Sequence, residues 1–295
     1  MSRSDYTSHY DYLKNKWTDK EQQLHKRLWQ KHKEAMDWFV HQSKHVTASS
    51  LGSLILLTAT PVQQVLPIMP VASMTQAQFA QIDHSAFLIT DLYGKLPNTV
   101  TVLTSDQKER IASILSSRFG LQVKSEIQGI QLNTNYGLIG EEQHLTRYPG
   151  DTMNAQLPTV DDATKYWSSG MAPGLGAWGY FASSYATLTP EDANRERWYV
   201  AVQTFLSPGY YDHAAEYNAF FKYRKVIVVN PQNGKAVVAD IADAGPSEWT
   251  GKSLGGSPEI MSYLDRQDGA AKGAVLYFFV DDSNNTVPLG PISVK

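Results

Sequence analysis

Two apolar runs, Lys225-Val-Ile-Val-Val229 and Lys235-Ala-Val-Val-Ala-Asp-Ile241, are separated only by Asn230-Pro-Gln-Asn-Gly234. Asn233-Gly234 tolerates the positive φ of a tight reversal, so this stretch is predicted to be a β-hairpin. Trp198-Tyr-Val-Ala-Val-Gln-Thr-Phe-Leu206 reads as a strand before it. Ala274-Val-Leu-Tyr-Phe-Phe-Val280 reads as a buried strand after it, and Val287–Val294 as a last one. Ser257-Pro-Glu-Ile-Met-Ser-Tyr-Leu264 is a short helix with Ser at the N-cap and Pro at the first helical position. Several short strands with one short helix predict a small closed barrel.

The rest of the chain differs in charge. The whole carries 26 Lys+Arg against 29 Asp+Glu, a net −3, which excludes a generally basic nucleic-acid binder. Residues 1–50 hold nine Lys/Arg and six Asp/Glu, hence +3, so the remainder holds 17 against 23, hence −6. No Lys, Arg, Asp or Glu lies between Lys44 and Asp83, and the centre of that gap is Leu51-Gly-Ser-Leu-Ile-Leu-Leu57. A basic flank before a short apolar run is the pattern of an export signal or anchor. Residues 1–45 are therefore predicted to be a basic amphipathic cytoplasmic leader, either lying on an anionic membrane face or simply solvated. Residues 46–73 are predicted to be a signal or anchor segment, with membrane contact through residues 46–71. The competing reading of 46–73 is a buried helix of a cytoplasmic domain. With no Cys, disulfides, thiolate catalysis and Cys-ligated zinc are excluded.

Residues 74–190 are predicted to be an α+β and loop-rich region of unassigned role. Residues 74–97 are helix-prone and end at Leu96-Pro97. Thr104-Ser-Asp-Gln107 is a capping-box pattern opening a helix with Ile111, Leu115 and Phe119 on its apolar face and Gly120 as its stop. Leu121, Val123, Ser125 and Ile127 alternate as a strand does. From Asn133 to Ser184 turn residues and aromatics dominate, and the stretch is predicted to be loop. Glu141, Glu142 and His144 fit no zinc-helix spacing and read as ordered loop contacts. Gly174-x-Gly176-x-x-Gly179 matches a dinucleotide fingerprint by letter but lacks the flanking strand and helix. No cofactor or metal is expected.

The run Val228-Val-Asn-Pro-Gln-Asn-Gly-Lys-Ala-Val-Val-Ala-Asp-Ile-Ala-Asp243-Ala-Gly-Pro246, then Trp249-Thr-Gly-Lys252 and Gly256-Ser-Pro258, resembles the double-psi β-barrel domain. The likeness is to its rare lipoprotein A-like and barwin/expansin-like branch, and covers about residues 197–283. It implies an α+β chain whose C-terminal domain, 191–295, is a six-stranded double-psi β-barrel. It also implies an exported bacterial envelope protein whose partner is cell-wall polysaccharide (peptidoglycan), with no nucleic acid.

In lytic relatives an Asp at the end of the second hairpin strand protonates the glycosidic oxygen, and Asp243 holds that position. Such a lytic transglycosylase needs one acid/base carboxyl, because the sugar's own hydroxyl closes on the anomeric carbon. Two positions depart from the family pattern. Ala244 stands where an Arg usually follows the Asp, and the upstream Gly-Glu segment is assigned no counterpart. Tyr210-Tyr211-Asp212-His213 and Glu216 are read into that place. Asp212 and Glu216 are candidate catalytic carboxylates, and Tyr210, Tyr211, His213 and Trp249 candidate sugar contacts. The alternatives are a turn role for Asp243, surface carboxylates at Asp212 and Glu216, and plain packing for the aromatics. Functionally, a non-catalytic wall-binding module or a structural envelope protein stands beside the lyase.

Overall fold

The computed structural model describes residues 84–266 and 273–295. The expected leader, the 46–73 segment and residues 74–83 lie outside those residues. Among the described residues no helix is long and apolar enough to cross a membrane.

Helix α1 spans Ser85–Leu92, and α2 spans Ser105–Phe119. The predicted capping box of α2 forms: Thr104 Oγ1 accepts from Gln107 N, and the Gln107 side chain accepts from Thr104 N. Gly120 then ends the helix at φ 67°, a left-handed conformation natural to glycine. The strand expected over Leu121–Ile127 divides. Val123–Lys124 (β1) joins the main sheet, whereas Glu126–Ile127 (β2) turns back onto Ile130–Gln131 (β3). The division falls at Ser125, and the reversal from β2 to β3 is made by Gln128 and Gly129, both at positive φ, as a two-residue hairpin turn requires.

Six strands close the barrel: Tyr136–Glu141 (β4), Tyr199–Val202 (β5), Lys225–Val229 (β6), Ala236–Ala244 (β7), Leu254–Gly256 (β8) and Gly273–Val280 (β9). Around the ring β4 pairs with β8, β8 with β5, β5 with β7, β7 with β6, β6 with β9, and β9 with β4. The β4/β8 and β5/β7 pairs are parallel, the rest antiparallel. This mixed ring is compatible with a double-psi barrel. Gly290–Ile292 (β10) extends it at β7.

The predicted hairpin is β6–β7, with Gly234 at φ 73°. The strand expected over Trp198–Leu206 is shorter, because Thr204–Leu206 forms a 3₁₀ turn. The ring also takes β4 from a stretch whose glycines read as loop. Gly137 and Gly140 serve close approach instead. A Cβ at Gly137 would lie 2.4 Å from Ser253 Cβ, and one at Gly140 2.5 Å from Lys252 Cε.

β6 after Lys225 and the Ala274–Val280 stretch of β9 are apolar because both faces of these strands are buried. Val226, Val228, Tyr277 and Phe279 fill the barrel with Val200, Val202, Ile241 and Leu254. Ile227, Val229, Leu276 and Phe278 face outward under Leu88, Ile111, Leu115 and Phe119 of α1 and α2. Four further helices surround the ring: Met153–Gln156 (α3), Val160–Tyr166 (α4), Pro190–Arg197 (α5) and Ala214–Phe221 (α6). The short helix expected after β8 is Pro258–Tyr263 (α7), with Ser257 Oγ accepting from Ile260 N.

Candidate functional site

Asp243 lies at the end of β7, and a bulge decides where it points. Along the β5/β7 pair Val200 faces Ile241 but Ala201 faces Asp243, so Ala242 is an extra residue. Ile241 fills the barrel interior and Ala201 packs outside. The inserted residue turns Asp243 outward, as bulges beside functional sites do. Its Oδ1 accepts from Ala177 N at 2.7 Å and from Ala244 N at 2.8 Å. Oδ2 has no hydrogen-bond partner and is not among the fully buried unpartnered oxygens, so it is at least partly accessible. Burial raises the proton affinity of Asp243 and the two amides lower it in part, leaving it above the usual carboxylate range.

A second carboxylate shares this face. Registers run from Gly140 on β4 to Gly255 on β8, Ala201 on β5 and Asp243 on β7. Glu142, just past β4, lies over Gly255, where a Cβ would come 2.3 Å from its Oε1. Gly255 and Asp243 are two strands apart, roughly 10 Å along the row. Burial raises Glu142, Lys252 pulls it back, and the charge of Asp243 adds to the rise, so the net shift is upward. Lys252 Nζ donates to Glu142 Oε1 at 3.1 Å and to Glu141 O at 2.8 Å.

Segment 170–182 covers the middle of the row. Its Ala172, Trp178 and Phe181 pack on Leu145, Tyr199, Ala201 and Ala242. It is tied down by His144 N to Gly170 O and Ala172 N to His144 O, both 2.9 Å, and by Trp178 Nε1 to Ile241 O at 3.0 Å. A Cβ at Gly176 would sit 3.2 Å from Ala242 O. The glycines that matched a nucleotide fingerprint thus let this segment approach β7.

Behind it lies a buried polar cluster. His144 Nδ1 is 3.2 Å from Glu196 Oε1, which also accepts from Leu145 N. His144 Nε2 and Glu259 Oε2 are buried without partners. Burial pushes Glu259 up to about 7; His144 opposes the shift and Glu196 adds to it. Burial, the largest single influence, would lower His144, but the hydrogen bond and charge of Glu196 together with the charge of Glu259 outweigh it and raise it. Glu141 lines a separate, half-open cavity of about 270 Å³ with Lys165, Tyr166, Ser168, Ser169, Pro258 and Ser262. Among the described residues no group of three or more His, Asp or Glu is arranged to hold a metal.

Tyr210, Tyr211 and Asp212 form a 3₁₀ turn before α6. Tyr210 packs on the barrel core and donates to Asn218 Oδ1 at 3.0 Å, while Tyr211 is 81% exposed. His213 Nδ1 lies 3.6 Å from Glu216 Oε2, both on the surface. Neither Asp212 nor Glu216 shares a hydrogen bond or ion pair with Asp243. Trp249 is 88% exposed in the turn Glu248–Thr250, three residues before Lys252. The sequence reading of Glu142 as an ordered loop contact leaves out its place on the face of Asp243, although Gly140-Glu141-Glu142 is itself an upstream Gly-Glu segment. Its partners Lys252 and Asp243 lie more than 100 residues along the chain.

No family model matches the chain, and no curated protein or solved structure matches it either.

Proposed function

We propose that this chain is an exported cell-envelope protein whose barrel cleaves peptidoglycan glycan strands in the manner of a lytic transglycosylase. Asp243 is its general acid/base. The observation that carries the reading is the asymmetry of that carboxyl. Two amides fix Oδ1, Oδ2 is unpartnered and not fully buried, and burial favours the proton. A glycosidic oxygen at Oδ2 would take the proton as the C–O bond breaks. The ionised Asp243 would then take the proton of the sugar's own hydroxyl as that oxygen closes on the anomeric carbon. Glu142, on the same face, would stabilise the positive charge developing there. The +3 leader and the uncharged segment after it support export.

The test is digestion of purified peptidoglycan sacculi by the full chain. Anhydro-muropeptides are the expected product, and Asp243→Asn should stop their release. The Ala177 contact to Asp243 and the cover over Ala201 favour a second reading, a wall-binding module without turnover. In that case the wild type and Asp243→Asn would both bind sacculi and release nothing.

A further inference from the structure

Lys252 is placed unusually for a lysine. Its side chain is only 13% exposed, its stem crosses the space that Gly140 leaves empty, and its ammonium reaches two acceptors at once. One acceptor, Glu141 O, is backbone and fixes where the ammonium sits. The other, Glu142 Oε1, is the carboxylate resting in the notch of Gly255. Two adjacent parallel strands, β4 and β8, each supply a glycine, and together these glycines make the seat for one ion pair. A residue with a Cβ at either place would overlap Lys252 or Glu142.

We propose that Lys252 is a positioning residue that keeps Glu142 ionised and its carboxylate anchored over Gly255, on the face shared with Asp243. This divides the two carboxyls by role: Asp243, with no cation beside it, exchanges the proton, and Glu142, paired with Lys252, supplies negative charge. The charged and titratable groups facing Glu142 are Lys252, Asp243 from β7 and Tyr199 from β5. Of these only Lys252 is positive. Its removal leaves Glu142 in a buried setting beside another carboxylate, and both effects favour protonation. The proposal rests on the glycan-cleaving reading for its kinetic consequence alone.

The test uses the full chain with ¹³C-labelled glutamate, the Glu142 carboxyl signal being identified by its loss in Glu142→Gln. In Lys252→Met the Glu142 titration midpoint should rise by about one pH unit or more. Lys252→Arg should restore it. Lys252→Gln, which can still donate to Glu141 O, should raise it in the same way and serves if the Met variant does not fold. On sacculi, the acidic limb of the pH–rate profile should move upward with the midpoint in the Met and Gln variants and return in the Arg variant. A lysine acting only as a strut would lower the rate equally at every pH. An unmoved Glu142 midpoint in a folded Lys252 variant overturns the proposal whatever the activity. A raised midpoint in a protein inert towards sacculi supports the ion-pair role and overturns the lyase reading instead.

Discussion

Ala177 donates its amide to Asp243 Oδ1 at 2.7 Å, across 66 residues of chain. A glycine-flanked loop and the outward carboxyl of the bulged strand are therefore direct partners. Because Ala177 and Ala244 share one oxygen, the second is left without a hydrogen-bond partner.

This arrangement fixes the sign of one stability change. The proton affinity of Asp243 is raised by burial, so its stabilising contribution is complete at low pH and fades as pH rises through the folded value. Asp243→Asn keeps an acceptor for both amides and carries no charge. It should unfold at higher urea than the wild type at pH 7, with the difference closing below pH ~4. Denaturation at the two pH values checks this, and equal midpoints at pH 7 would refute it.

Glu259 makes the strongest pH prediction. Its midpoint is about 7 in the folded chain against 4.5 unperturbed. Stability should therefore decline as pH climbs from about 4.5 to 7, by about 3 kcal/mol from this group at 1.36 kcal/mol per pH unit. His144, also raised, adds to the decline. Glu259→Gln should flatten the curve between pH 5 and 8. A urea series that leaves the slope unchanged would count against it.

Lys225 is almost fully buried, and its ammonium donates to Asp282 Oδ2, Asn285 Oδ1 and Val287 O at 2.5–2.7 Å. Asp282 feels burial upward, but Lys225 and two backbone amides outweigh it and hold the carboxyl at about 2. Its contribution is present above the unperturbed 3.8 and is lost as pH falls through about 2. Lys225→Met leaves a buried anion without its partner and should cost about 3–5 kcal/mol at pH 7. Chemical denaturation reads this directly; a loss below 1 kcal/mol would contradict it.

Gly255→Ala tests the seat of Glu142. The new methyl would meet Glu142 Cγ at 2.2 Å and must displace the side chain. If the lyase reading holds, release from sacculi should fall by about 10- to 100-fold, as an ångström-scale misplacement does. The far-ultraviolet circular dichroism should persist. Undiminished turnover would remove Glu142 from the mechanism.

The sequence displayed what depends on near neighbours. The Thr104–Gln107 box, the Gly120 stop, the β6–β7 reversal and the Ser257-Pro258 start of α7 all form as local chemistry requires. It concealed what depends on distant partners. Tyr136–Glu141 looked like loop because the side chains that make its glycines necessary, Ser253 and Lys252, are over a hundred residues away. Asp243 was legible through resemblance, yet its outward aim comes from one unpaired residue, Ala242, that no spacing announces. The Asp212–Glu216 stretch lies in the upstream region to which the resemblance points, whereas the ion pair on the face of Asp243 is Glu142–Lys252.

Ring closure by β4 has a consequence for how the chain can be divided. Without Tyr136–Glu141, β8 and β9 each lose a neighbour, and the backbone groups that now pair with β4 become bare edges. A fragment beginning at residue 191 would carry two such edges on an otherwise apolar sheet, a ready template for intermolecular strand addition and aggregation. During synthesis the same geometry leaves β4 unpaired until β8 emerges more than 110 residues later, and open on its other edge until β9 follows. Long-range closure of this kind is slow, so the barrel's last step is also its most exposed to self-association.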